Sequence, residues 1–201
     1  MSTLQTTFIQ KLGAGTDAFE IPANDGTSGQ YLQTDGTGGL SWQTVPNNGF
    51  ESYAIIADEK AYNVRGGTFT SGAWRTRDLN TEIADPDGIV SISSNEFTLA
   101  AGSYLIKWSA VAFRVHNHQT RLYDVTGTAQ IQPGSSGLSG SADTMNNPSS
   151  GSARVTISAN NTYRIEHRCN TTSTNQGFGE YVNLVADTNN VYTLVEIYKE
   201  A

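Results

Sequence analysis

Residues 103–115 read SYLIKWSAVAFRV, with a glycine-containing turn, AAG, directly in front at 100–102. The stretch is rich in aromatic and β-branched side chains and predicts a strand. On a period of two, Tyr104, Ile106, Trp108, Ala110 and Ala112 share one face. Leu105, Lys107, Ser109, Val111, Phe113 and Val115 share the other. Large apolar groups therefore stand on both faces. A strand of a free-standing antiparallel sandwich keeps one face polar, so the pattern predicts cover on both sides, with a neighbouring subunit as the second cover. On this reading Tyr104, Trp108 and Phe113 are subunit-interface candidates, together with Tyr163, His167 and Tyr198 on later strands.

Working outward, residues 53–57, 67–70, 89–93, 121–125, 154–157, 162–169 and 191–198 read as further strands. In 162–169 the alternation is clean: Tyr163, Ile165, His167 and Cys169 face one way, Arg164, Glu166 and Arg168 the other. No segment carries a sustained helical period with caps. Roughly eight strands at intervals of about ten residues predict an all-β protein, an antiparallel jelly-roll sandwich. A unit of ~150 residues buries about two-thirds of its unfolded surface and can fold alone. The Gly-, Ser- and Asn-rich segments 132–151 and 171–179 read as loops suited to variable contacts.

The composition changes near Pro46-Asn47-Asn48-Gly49. Before it, apolar residues are single and separated; after it, dense strand-like runs begin. The expected organisation is an extended N-terminal arm with short turns over 1–48 and a knob over 49–201. Within the arm, DGTSG at 25–29 returns as DGTGG at 35–39. Each copy turns the chain, and the pieces Tyr31–Gln33 and Leu40–Gln43 between and after them can pair or lie along a partner. Phe8, Tyr31 and Trp42 are the expected arm anchors, seated in a neighbouring surface.

The 201 residues carry a net charge of −7, with 12 basic side chains that are scattered rather than clustered. That balance argues against nucleic acid as a partner and against anionic lipid surfaces. No apolar run approaches the length of a membrane span, and no basic segment followed by an apolar run opens the chain. The expectation is a soluble product made in a cytosol, with no membrane insertion. A single cysteine, Cys169, excludes an intrachain disulfide.

Candidate chemistry is sparse. His116-Asn117-His118 places two imidazoles two residues apart, but a zinc site needs further ligands, and His167 is the only other histidine. A hydrogen-bonded structural role is the default reading. Asp85-Pro86-Asp87-Gly88 has the letters of a calcium-loop fragment yet lacks the remaining oxygen ligands, and Pro-Asp-Gly is a strong turn former. The glycines of the arm match neither phosphate-binding signature. No nucleophile elbow and no assignable carboxylate pair is present. The chain reads as non-enzymatic, with no cofactor and no metal.

Two sets of stretches carry a family resemblance. FTLAAGSYLI at 97–106 resembles the F-x-x-x-x-G-x-Y-x-apolar lead into a central strand of the tumour-necrosis-factor and complement globular-head jelly rolls, which are ten-stranded trimers. The stretches at 71–110, HQTRLYDVT at 118–126, YRIEHRC at 163–169 and VEIYK at 195–199 resemble domains of bacteriophage virion proteins, tail fibres among them. IPANDGTSGQYLQTDGTGGLSWQTV at 21–45 is similar to segments that recur in phage fibre and surface proteins. The resemblance implies a homotrimeric knob on a virion surface, assembled in the host cytoplasm and held by its arm to capsid or tail proteins. Two uses stay open: a capsid decoration or cement protein, and a receptor-binding fibre tip that adheres to host surface glycans. No collagen-like, coiled-coil or β-helical shaft accompanies the knob.

Overall fold

A computed structural model of the chain describes residues 8–10, 18–20, 22–45, 49–142, 145–182, 184–185 and 188–201. The chain divides into two units, Met1–Asn47 and Asn48–Ala201. Residues 46–48, where the composition changes, lie outside the described residues.

The first unit holds two antiparallel hairpins: β1 (Phe8–Gln10) with β2 (Ala18–Glu20), and β3 (Gln30–Thr34) with β4 (Leu40–Thr44). The duplicated turn has two different jobs. The second copy joins β3 to β4: Asp35 Oδ1 accepts the backbone N–H groups of Thr37 at 2.8 Å and Gly39 at 3.0 Å. Gly36 and Gly38 take the left-handed conformations, φ +82° and +106°, that this tight reversal requires. The first copy instead lies under an indole. A Cβ on Gly26 would stand 2.7 Å from a Trp42 ring carbon, and Trp42 Nε1 donates to the Asn24 carbonyl at 2.6 Å.

The second unit is an antiparallel jelly-roll sandwich. Its strands are β5 (Phe50–Lys60), β6 (Arg75–Thr76), β7 (Thr81–Ala84), β8 (Val90–Ser93), β9 (Glu96–Leu99), β10 (Gly102–Ala112), β11 (His116–Asp124), β12 (Ala129–Ser139), β13 (Asn147–Ile157), β14 (Asn161–Cys169) and β15 (Asn190–Glu200). One sheet runs β13-β10-β15-β5-β7; the other runs β12-β11-β14-β9-β8, with β6 pairing β14. Consecutive strands β10 and β11 belong to different sheets, as do β12 and β13, so the chain repeatedly crosses the sandwich. Among the described residues there is no helix long and apolar enough to cross a membrane.

The core lies between the sheets. Ile106 and Trp108 of β10 meet Leu122 of β11, Ile165 of β14, Ile56 of β5 and Val195 of β15, all within 3% of full burial. Truncating such an aliphatic side chain to alanine costs about 2–5 kcal/mol through lost transfer energy and the cavity left behind.

The two-faced apolar pattern of 103–115 resolves differently from expectation. Tyr104, Ile106, Trp108, Ala110 and Ala112 all point into the sandwich, while Leu105, Ser109 and Val111 are half-buried and Lys107 exposed on the outward face. The strand ends at Ala112. The chain then reverses through Arg114 and His116, both left-handed at φ +57° and +63°, and Phe113 and Val115 turn inward beside the crossover. Five of the six interface candidates are therefore interior residues of one chain. Tyr104, Trp108, Phe113, Tyr163 and His167 keep between 0% and 4% of their surface and have none to offer a partner. Their size is used in the core, where Trp108 Nε1 donates to Thr120 Oγ1 at 2.9 Å and Phe97 packs on Tyr163. Tyr198 is the exception, standing half-buried on the outward face.

Segment 132–151 is not a loop. It supplies most of β12 and the start of β13, connected across 140–146. Its small residues are there because neighbours occupy the side-chain positions: Trp108 ring atoms fill the space of a Gly151 side chain, His118 that of Gly137 and Thr120 Oγ1 that of Gly134. Asp85-Pro86-Asp87-Gly88 is a turn, with Asp85 accepting the N–H groups of Ile89 at 2.9 Å and Val90 at 3.0 Å.

Candidate functional site

Two polar constellations occupy the sandwich near the crossover, one inside it and one opening on its surface. The inner one is built on Arg77, whose side chain is fully buried. Its backbone N–H bonds the Ile165 carbonyl in one sheet, while its guanidinium reaches Thr193 Oγ1 (2.9 Å), the Tyr192 carbonyl (2.9 Å) and the Val111 carbonyl (3.2 Å) in the other. It also donates to the Phe178 carbonyl at 2.9 Å and lies over the Phe178 ring. Burial pushes the guanidinium down to about 10, against the pull of Asp58 and Asp78, so it stays charged at neutral pH. Arg77 is a clip between layers, satisfied by carbonyls rather than by a carboxylate.

Beside it, His118 Nδ1 lies 2.9 Å from His167 Nε2, and His118 Nε2 lies 3.1 Å from Asn147 Oδ1. An amide oxygen only accepts, so with this Asn147 orientation His118 carries its proton on Nε2 and accepts at Nδ1 from His167. His167 Nδ1 is then a bare, buried acceptor with no partner. Burial lowers His118 below the ordinary imidazole range. It lowers His167 well below that range, reinforced by the charge of Arg77. Both rings are neutral at pH 7. His116 is exposed at the left-handed reversal, so the two imidazoles of His116-Asn117-His118 are not presented together. Among the described residues no group of three His, Cys, Asp or Glu is placed to hold a metal ion.

The outer constellation is a cleft of about 390 Å³ over β11, β12 and β14, with His118 and Gly137 at its lining. Trp74, Asn117, Gln119, Ser136, Arg168 and Asn170 complete it. Cross-strand register places Gln119 opposite Arg168, both on the outward face of the sheet. Gln119 Nε2 donates to the Gly134 carbonyl at 2.8 Å. Beside the cleft, Arg121 stacks on Trp74 at 4.2 Å and on Tyr123 at 4.8 Å, and is held by Glu166 at 2.6 Å. Sequence reasoning placed Arg168 on the face opposite Tyr163 and His167 without deciding which face is outward, and missed Trp74 and Arg77, which stand between strands where periodicity is silent.

Of the expected arm anchors, Trp42 is engaged within its own unit, Tyr31 is 40% exposed, and the side chain of Phe8 lies outside the described residues. Cys169 is buried and free; burial pushes its thiol up to about 11, which leaves it unreactive at neutral pH.

No family model and no curated protein matches the chain in sequence. Its fold is similar to solved head domains. The Eiger TNF of S. frugiperda aligns with a TM-score of 0.50 at 13% identity, over 76% of this chain and 94% of that one. Murine APRIL aligns with a TM-score of 0.47 at 7% identity, over 74% and 98%. The globular domain of zebrafish complement 1qA gives 0.45 at 13% identity, over 74% and 96%. At such identities the likeness is one of fold alone: the second unit is an antiparallel jelly-roll sandwich, as the Eiger TNF head is.

Proposed function

We propose that the chain is a non-enzymatic virion structural protein that displays a homotrimeric knob on the surface of a phage particle, held there by its arm. The observation that carries self-association is the outward face of the β13-β10-β15-β5-β7 sheet. Register lines up Leu105, Tyr198 and Tyr53 across three strands, and the Phe50 ring packs 4.8 Å from that of Tyr198. Phe50 is 50% and Tyr53 45% exposed. A cluster of aromatic side chains on the solvent face of a sheet is the kind of patch that a closed symmetric oligomer covers. The likeness of 97–106 to trimeric heads supports three copies. The phage-like stretches at 21–45 and 71–110 support the virion setting. The cleft holds no nucleophile activated by a base and no carboxylate pair, in keeping with a binding role. Quantitative mass spectrometry of purified particles tests the setting. Hundreds of copies per particle are expected; a few tens confined to the tail overturn decoration, and absence from particles overturns the virion reading.

A further inference from the structure

Arg168 stands apart from every other described cation. The remaining described Lys and Arg side chains all meet a carboxylate, a carbonyl or an aromatic ring: Lys60, Arg65, Lys107, Arg154, Arg164 and Lys199 pair with acids. Arg75 bonds the Thr70 carbonyl, Arg77 is clipped as above, Arg114 lies over Phe113, and Arg121 meets Glu166. Arg168 is exposed and, among the described residues, its guanidinium has no partner at all. It lines the one concave feature described above, and no carboxylate shares that lining.

Other unspent polar groups converge there. Trp74 Nε1 and the carboxamides of Asn117 and Asn170 make no side-chain hydrogen bond among the described residues, and Gln119 spends its Nε2 but not its Oε1. The cleft thus offers several donors and acceptors with an indole beside them and one free guanidinium. A hydroxyl-rich ring wants such a mixture of donors and acceptors; a carboxylate wants the planar fork of arginine. The volume falls in the lower part of the range for small-molecule sites, about 300–1,000 Å³. The net charge of −7 opposes an anion only weakly at contact, because exposed charges beyond about 8 Å are screened at physiological salt.

We infer that this cleft binds an acidic sugar, with the carboxylate on Arg168 and the ring hydroxyls on Asn117, Gln119 and Asn170. The inference deepens the display-head reading by giving the knob a glycan contact, and rests on that reading only for its biological use; the cleft itself belongs to a single copy.

The test is nitrogen-resolved NMR of the full chain titrated with glucuronate and, separately, with glucose, which differs by the missing carboxylate. Glucuronate is expected to shift the Trp74 indole N–H and the side-chain amides of Asn117 and Asn170, and to bind about tenfold or more tighter than glucose, as the loss of a charge-assisted pair implies. Arg168→Gln should erase that preference, and Arg168→Lys should restore part of it, while backbone signals away from the cleft stay in place. Equal affinity for the two sugars, no shift at Trp74, or undiminished preference in Arg168→Gln would overturn the inference. Sedimentation of the same samples reads assembly separately: a monomer that binds glucuronate through Arg168 removes the trimer and keeps the site, and a trimer that fails to bind does the reverse.

Discussion

His118 Nδ1 and His167 Nε2 meet at 2.9 Å inside the sandwich, from residues 49 positions apart in sequence. In this orientation the pair requires a neutral His118, because protonating its Nδ1 would turn the accepting nitrogen into a second donor facing His167 Nε2. The buried Arg77 guanidinium adds a like charge.

That pair makes the knob sensitive to acid. Both imidazoles are held below their ordinary value of about 6.5 when folded, so the unfolded chain binds more protons once the pH falls below that value. The stabilising contribution is complete above pH ~6.5 and is lost as the pH drops from there toward the folded values. Each ring that stays neutral tilts stability by at most about 1.4 kcal/mol per pH unit. Chemical denaturation at pH 7.5 and pH 5.5 should show the loss, and His167→Phe, which keeps a ring beside Phe69, should flatten it. An unchanged pH dependence in that variant would show that His167 does not cause the acid sensitivity.

Arg77 joins the layers through the carbonyls of Val111, Phe178 and Tyr192. Arg77→Met keeps the stem, deletes the donors and leaves the carbonyls of Tyr192 and Phe178 with fewer partners. A loss of about 3 kcal/mol or more is expected in urea unfolding, and a loss under about 1 kcal/mol would mean that water replaces the guanidinium without penalty.

Gly151 is a packing position in a strand. A methyl group there collides with the Trp108 ring, so Gly151→Ala should cost about 1–3 kcal/mol by overpacking. The next residue, the outward Ser152, should tolerate alanine within about 0.5 kcal/mol. Equal effects at the two positions would contradict the placement of Trp108.

In the first unit, Gly26→Ala combines a positive φ with contact against Trp42. The substitution should unseat the indole, seen as a changed Trp42 Nε1–H resonance. Gly29→Ala shares the strained φ but has open space around it, and should leave that resonance in place.

How much of this was readable before folding depends on distance along the chain. The inward face of β10 was legible because alternation is local. The outward face was not, since Leu105 and Val111 on one side and Tyr104 and Trp108 on the other look alike in one dimension; only the second sheet decides which is inside. Segment 132–151 read as a loop because Gly134, Gly137 and Gly151 are turn residues by composition. Their reason for being small is Thr120, His118 and Trp108, which belong to other strands. The cleft draws on residues 74, 117–119, 136–137, and 168 with 170, and no local spacing connects those four pieces. Arg168 was placed on the correct alternation, but its lack of a partner is a fact of three dimensions.

Assembly of the knob through the aromatic face of the five-stranded sheet is tested most directly by sedimentation equilibrium of the full chain at micromolar concentration. The expected mass is three times the 21.6 kDa of one chain, with a shift to a folded single chain when Tyr53 and Tyr198 are both replaced by glutamate, which places like charges within that patch. A folded monomer from the unaltered chain, or a trimer indifferent to the two glutamates, would contradict it.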